Sequence, residues 1–220
     1  MNCGIVRTLD SSFLRNPIFI GKMKNSIRII EKPEWISWKM IKDCLVEAHA
    51  DNLKKGIKML HMGLSSEEIK DKIGSNGFVL VALDGEKLVG TAAILEKNSS
   101  LWYTNGPYAY LGFAGIIPEY RGMGIYKELT TKRESYARQK GFSVIVFNTN
   151  EKNERVQNVA KQNGYLYVNY TLSSTRDHYD VYMAKWLGSC PFTKSYCRRR
   201  FLISRMKAHI RRLLSEIKQK

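Results

Sequence analysis

Acidic residues are scarce: 20 Asp and Glu stand against 36 Lys and Arg, a net charge of +16. No apolar run approaches the roughly 20 residues of a membrane-spanning helix. The most apolar stretch, Tyr108–Ile117, is only of strand length. The N-terminal segment is broken by Arg7, Asp10 and Arg15 and has no hydrophobic region of signal-peptide type. The four cysteines, Cys3, Cys44, Cys190 and Cys197, form no C-x-x-C pair, which argues against a zinc site or a redox dithiol. Cys190 and Cys197 are read as reduced thiols, and no metal site is expected. Proline is few at 5 and glycine ordinary at 16, while aromatics reach 11%, which excludes collagen-like and disordered classes. What is left is a globular chain, read as cytoplasmic, long enough to bury a core without cross-links. Its positive charge attracts polyanions such as phosphates, nucleic acid or an anionic membrane, and specifies no fold.

Residues 1–25 have no sustained period and are read as a poorly ordered leader, with Met23 resembling a natural start. From Ser26 to Glu31 apolar and charged residues alternate as in a half-buried strand, which Pro33 stops. Trp38, Ile41, Leu45, Ala48 and Leu53 recur at threes and fours, predicting an amphipathic helix from Trp38 to about Ile57. Ser65-Ser66-Glu67-Glu68 opens a second helix, which Gly74 ends. Gly77–Leu83 and Lys87–Leu95 are strands joined by an Asp84-Gly85 hairpin turn. Tyr108–Ile117 is a strand, Met123–Lys140 a helix, Ser143–Phe147 a strand and Glu154–Asn163 a helix. Two alternating strands follow, Tyr165–Leu172 and Asp180–Trp186. Hairpins make antiparallel pairs and strand–helix–strand units make parallel ones, so one α/β domain with a mixed, mostly antiparallel sheet is expected over residues 26–187.

The segment with chemical content joins the strand ending at Ile117 to the next helix through Arg121-Gly122-Met123-Gly124. Glycines let a backbone approach a ligand, and successive N–H groups at a helix N-terminus attract anions. The dinucleotide fingerprint and the P-loop are both absent. Ile116-x-Pro118-x-Tyr120-Arg121-Gly122-x-Gly124-Ile125, with Leu129, resembles the acetyl-CoA-binding motif of the GCN5-related N-acetyltransferase (GNAT) family. Asn153, with Gly164-Tyr165 ending its helix, resembles the family's second block, and the order of elements is also similar.

That resemblance implies direct transfer of acetyl from acetyl-CoA to the amine of a small acceptor, with residues 26–187 as the domain. It implies that Ile116, Arg121, Gly122, Met123, Gly124, Ile125, Tyr126 and Asn153 bind the cofactor. Arg121 and the amides of Gly122–Tyr126 would hold the pyrophosphate, Asn153 the pantetheine arm, and the Ile116 N–H would polarise the thioester carbonyl. Two departures stand out. Tyr126 occupies a place usually held by Gly or Ala, and must point away from the phosphates. Ala160 occupies the place of a tyrosine that often protonates the departing thiolate. No single general base is named by the sequence; Glu96, His178 and Tyr110 are candidates, with Asp177 and Tyr108 beside them. His61 is read as structural. The rival readings are another acyl group, an oxygen acceptor, or a binding module of the same fold without turnover.

Residues 188–220 form a basic arm. Residues 191–220 carry ten Lys and Arg against the one acid Glu216, a net +9. Ile203, Met206, Ile210, Leu213, Leu214 and Ile217 fall on one face of a predicted amphipathic helix. Packing of that apolar face on the domain or on a second subunit is expected first. An anionic membrane surface, and so a peripheral location, comes next, and nucleic acid last.

Overall fold

The computed structural model describes residues 27–99, 101–104, 106–175 and 177–217; the leader read at residues 1–25 lies outside them. The first alternating segment becomes β1 (Arg28–Glu31), paired antiparallel with β2 (Phe78–Asp84). Between them, α1 (Trp38–Lys54) starts where the Ser37 hydroxyl accepts from the Met40 N–H at 3.2 Å. It stops short of the expected Ile57, and Leu53, assigned to its apolar face, is exposed. The helix α2 (Ser66–Ile73) opens on a reciprocal capping box between Ser65 and Glu68, as its sequence predicts. β2 and β3 (Lys87–Lys97) form the hairpin at Asp84-Gly85.

The remaining order is β4 (Tyr108–Ile116), α3 (Ile125–Gln139), β5 (Val144–Asn150), α4 (Glu154–Gln162), β6 (Leu166–Leu172), β7 (Tyr179–Trp186) and α5 (Lys194–Ile217). The sheet runs β1-β2-β3-β4-β5-β7-β6. Only β4 and β5 are parallel, because α3 crosses between them. The mixed, mostly antiparallel sheet with flanking helices is therefore present. β5 continues to Asn150, beyond the expected Phe147, since Asn148, Thr149 and Asn150 keep pairing with β7 despite their polarity.

Packing of α1 on β4 is unusually close. A Cβ on Gly115 would lie 2.7 Å from the Cβ of Ala48 and 3.3 Å from Nε2 of His49. Ile36, Ile41, Leu45 and Ile69 fill the same side of the sheet with Val79, Val81 and Leu83.

The basic helix α5 does not pack its aliphatic face on the domain, as one of the expected arrangements had it. It lies against edge strand β6 through Cys197, Phe201, Ser204 and Ala208, with Phe201 set between Tyr167 and Tyr170. Ile203, Met206, Ile210, Leu213, Leu214 and Ile217 are exposed instead. The inner face combines the Phe201 ring with the small Cys197, Ser204 and Ala208. Cys190 and Cys197 are free thiols.

Gly115→Ala should force α1 away from β4 and cost about 1–3 kcal/mol. Denaturant unfolding measures this as a lower midpoint with an unchanged slope; an unaltered midpoint would show that α1 moves freely.

Candidate active site

β4 and β5 share only two register pairs, Ala109–Ile145 and Tyr110–Val146. Beyond them the strands part, and β4 keeps an edge without a strand neighbour on that side. The alternation of the chain aims this edge. Ile117 N–H donates to the Val89 carbonyl at 3.0 Å, toward β3, so the N–H of Ile116 is directed to the open side. Ile116 itself pairs with Gly90.

A bulge sharpens the opening. Between the partners of Thr91 and Ala93, β4 carries one residue more than β3, and there Phe113 has φ +48°. No other non-glycine described residue has positive φ. A bulge bends its strand and re-aims the neighbouring groups. His49 of α1 holds it: Nε2–H donates to the Ala114 carbonyl at 2.9 Å, and Nδ1 accepts from Asn52 at 2.9 Å. These two bonds fix a neutral imidazole, and burial keeps its pKa below the ordinary value. The His61 ring lies against it, tilted by 51°, at 4.7 Å between ring centroids. Burial, with His49 adding to it, pushes the pKa of His61 down to about 3. Its buried Nε2 has no partner among the described residues, and the residue borders the opening.

The opening is a cleft of about 840 Å3, bounded by the His49–His61 pair, β4, the polar end of β5, one face each of α3 and α4, and the loop between β6 and β7. At the start of α3, Gly122 and Gly124 have φ +82° and +81°. Gly124 in that conformation delays the helix to Ile125, two residues after the periodicity placed it. Among the described residues nothing accepts from the N–H groups of Gly122 through Lys127. Free amides at a helix N-terminus suit an anion. Met123 is exposed beside them. Tyr126 packs on the cluster holding Ile116, Ile125 and Leu129 and borders the opening.

Arg121, expected on a pyrophosphate, is engaged by protein. It binds Asp51 Oδ2 at 2.9 Å, the Ala48 carbonyl at 2.7 Å and the Ile116 carbonyl at 3.3 Å. The hydrogen bond from Arg121 holds the Asp51 carboxyl below its usual range. Arg121 thus ties the glycine loop to α1 and to the end of β4, leaving the amides as free donors. Asn153 is buried at the start of α4, donates to Thr149 Oγ1 at 3.1 Å, and borders the cleft.

Two of the three candidate bases reach the cleft. Glu96 does not: strand alternation puts it with Ile94 in a separate groove, on the opposite face from Leu95 and Lys97. Tyr110 donates its hydroxyl to Asn148 Oδ1, and burial raises its pKa, so it stays protonated. His178 places Nδ1 2.6 Å from Asp177 and Nε2 3.6 Å from Asp180. Asp177 is held ionised chiefly by Lys58, whose Nζ lies 2.7 Å away. Asp180 is different: burial raises its carboxyl pKa, with His178 acting against the rise. An Asp inside an alternating strand is the signal that marks it, since aspartate is depleted in strands. Ala160 borders the cleft, as does Arg133, which is 1% exposed with its Nε unpartnered. No group of three or more potential metal ligands occurs among the described residues.

The model of the acetyltransferase (GNAT) family matches residues 45–165, more than half of the chain and the whole of this cleft except its β6–β7 side. The chain belongs to the GNAT acetyltransferase family. Solved structures of similar fold include an aminoglycoside 6'-acetyltransferase type Ii, at 18% identity and TM-score 0.57, covering 74% of this chain and 99% of that one. A GNAT-family acetyltransferase from Staphylococcus aureus Mu50 has 17% identity and TM-score 0.58, with 74% and 100% covered. An aminoglycoside 6'-N-acetyltransferase complexed with coenzyme A has 16% identity and TM-score 0.53, with 75% and 99% covered. At such identities the likeness is one of fold. No curated protein sequence matches this GNAT chain.

The buried histidine pair should make this GNAT fold acid-sensitive. His61 titrates near 3 when folded and near the ordinary 6.5 when unfolded. Its contribution is therefore complete above that ordinary value, and is lost as pH falls toward the folded one, because the unfolded chain binds the proton. The limiting slope is about 1.4 kcal/mol per pH unit. Thermal melts from about pH 7 to about pH 5 should show a falling Tm. His61→Phe, which keeps an aromatic ring on His49, should flatten that fall; an unchanged slope would exclude His61 as its source.

Proposed function

We propose that the cleft binds acetyl-CoA and carries direct transfer of its acetyl group to the amine of a small acceptor, an acyltransferase reaction of class EC 2.3.1.-. The observation behind this reading is the run of unpaired amides from Gly122 to Lys127 beside the open edge of β4. A pyrophosphate suits the first and a pantetheine amide the second, so the residues present fit the cofactor. Acetyl-CoA, when bound, supplies an activated thioester.

The amides of Gly122, Met123, Gly124, Ile125 and Tyr126 bind phosphate oxygens, while Arg121 holds their loop in place. The N–H of Ile116 donates to the developing oxyanion from a fixed position. Asn153 orients the pantetheine arm. Holding amine and thioester in line supplies on the order of 7–11 kcal/mol of the barrier. Asp180 takes the proton of the acceptor ammonium: it is half-buried, its pKa is raised, and His178 beside it steadies the carboxylate. The charge around the cleft favours a small acceptor that is neutral or acidic over a polyamine. Lys58, Lys72, Lys97 and Arg133 border it, against Asp180 alone among described carboxylates.

Ala160 supports a second reading. Without a proton donor at that position, a binding module of the same fold loses turnover and keeps the cofactor. Thiol release separates the two.

Acetyl-CoA should raise the Tm by linkage and give a calorimetric binding isotherm. Gly124→Glu, which sets a carboxylate at the phosphate site, should abolish both. Absence of binding by the unaltered chain would refute the cofactor assignment. In a thiol-release assay over an acceptor panel, neutral and acidic amines should outrun spermidine and aminoglycosides. Asp180→Asn should lower kcat/KM for the best acceptor by about 100-fold or more, with acetyl-CoA affinity kept. Unimpaired turnover would place the base elsewhere.

A further inference from the structure

Seven of the twelve exposed large apolar side chains among the described residues belong to α5. At about 100° per residue, they share an arc of roughly 120°. This stripe lies opposite the Cys197–Phe201–Ser204–Ala208 face that docks on β6, so it is the outermost surface of the helix. Met206 and Ile217, near its centre, are 65% and 68% exposed.

Cations border the stripe on both sides. Arg200, Lys207 and Arg211 follow one margin, and Arg198, Arg205 and Arg212 the other. The one acid on the helix, Glu216, is paired with Arg212 at 3.1 Å. On the inner side Arg200, Arg205 and Arg212 sit over the rings of Trp102, Tyr170 and Tyr179, at 5.1, 5.7 and 5.6 Å from their centroids. These three contacts tie both margins of the helix to aromatic rings of the domain.

We propose that α5 is a membrane-surface helix that seats this protein on anionic phospholipid, with its aliphatic stripe among the acyl chains and its flanking arginines and lysines at the headgroups. The stripe is convex and made of flexible aliphatic residues, which suits a fluid apolar layer and provides no pocket for a side chain of a protein partner. Long basic side chains reach from such a buried stripe to phosphate oxygens. A second copy of the chain fits poorly, because apposed stripes would bring two sets of six cations together. Nucleic acid would use the cations and leave the stripe in water. No helix of the described chain is long and apolar enough to cross a membrane, so the contact is one of surface. Tyr170 and Tyr179, which touch His209 on α5, flank the β6–β7 loop that borders the cleft. Seating the helix therefore holds that side of the cleft near the lipid surface.

Co-sedimentation of the full chain with vesicles of phosphatidylcholine, alone or mixed with phosphatidylglycerol, tests this without acetyl-CoA. Binding to the anionic vesicles should be tighter by about tenfold or more, and should weaken as salt rises. The double variant Met206→Glu/Leu213→Glu, both on solvent, should melt as the parent does and bind at least about tenfold more weakly. Failure to bind anionic vesicles overturns the proposal. So does undiminished binding by the double variant, which would reduce the contact to charge alone. A dimer seen by light scattering in the parent and lost in the double variant would give the stripe to a second copy instead.

Discussion

The divergence of two parallel strands governs this molecule. β4 and β5 must be neighbours because α3 crosses between them, yet they stay bonded at only two register positions. The parting leaves a line of backbone donors and acceptors in the interior of the sheet, where they are ordinarily spent on each other. Two devices keep it open. The bulge at Phe113 bends β4 away, and α1 presses on the bent strand through the bare backbone of Gly115, with His49 bonded to the Ala114 carbonyl. Arg121 then joins α1, the end of β4 and the glycine loop in one set of hydrogen bonds. The anion site at α3 and the open strand edge thus share a frame, and the distance between them is fixed by packing.

Electrostatics divides the chain into two regions of different character. Within the cleft, burial controls protonation: it keeps His49 and His61 neutral, Tyr110 protonated and Asp180 above the usual carboxylate range. At α5, charge is on the surface and free to meet a counter-surface. The arm contributes more than half of the net charge yet lies away from the glycine loop, so the basic total reports chiefly on the helix. The charge an acceptor meets is that of the residues bordering the cleft, and they too are mostly cationic.

The correction at α5 carries a physical lesson. A periodic apolar face is ordinarily the one that packs, and here it is the one that faces out. Here Phe201, with Cys197, Ser204 and Ala208, makes the contact while the leucines and isoleucines do not. Hydrophobic periodicity identifies a helix with a strongly apolar side. It does not identify what that side is buried against, because burial is a property of the partner as much as of the residues.

Local chemistry was legible in the sequence wherever it acts over a few residues. The Ser65–Glu68 capping box, the Asp84-Gly85 turn, the alternation of the strands and the Gly122–Gly124 loop at a helix start are each set by neighbours in the chain, and each appears where its pattern stands. The family resemblance rested on the same short-range signals. Only the tertiary structure decided what depends on contacts between distant residues. Among these are the bulge that His49 secures, the capture of Arg121 by α1, the removal of Glu96 to the other face of the sheet, and the meeting of His178 with Asp180 at the cleft. The polar end of β5 belongs with them, since Asn148–Asn150 form a strand because β7 pairs with them. Side-chain identity and spacing fix φ, ψ and capping over a turn or a strand; burial, pKa and the choice of hydrogen-bond partner arise from groups that sequence separation hides.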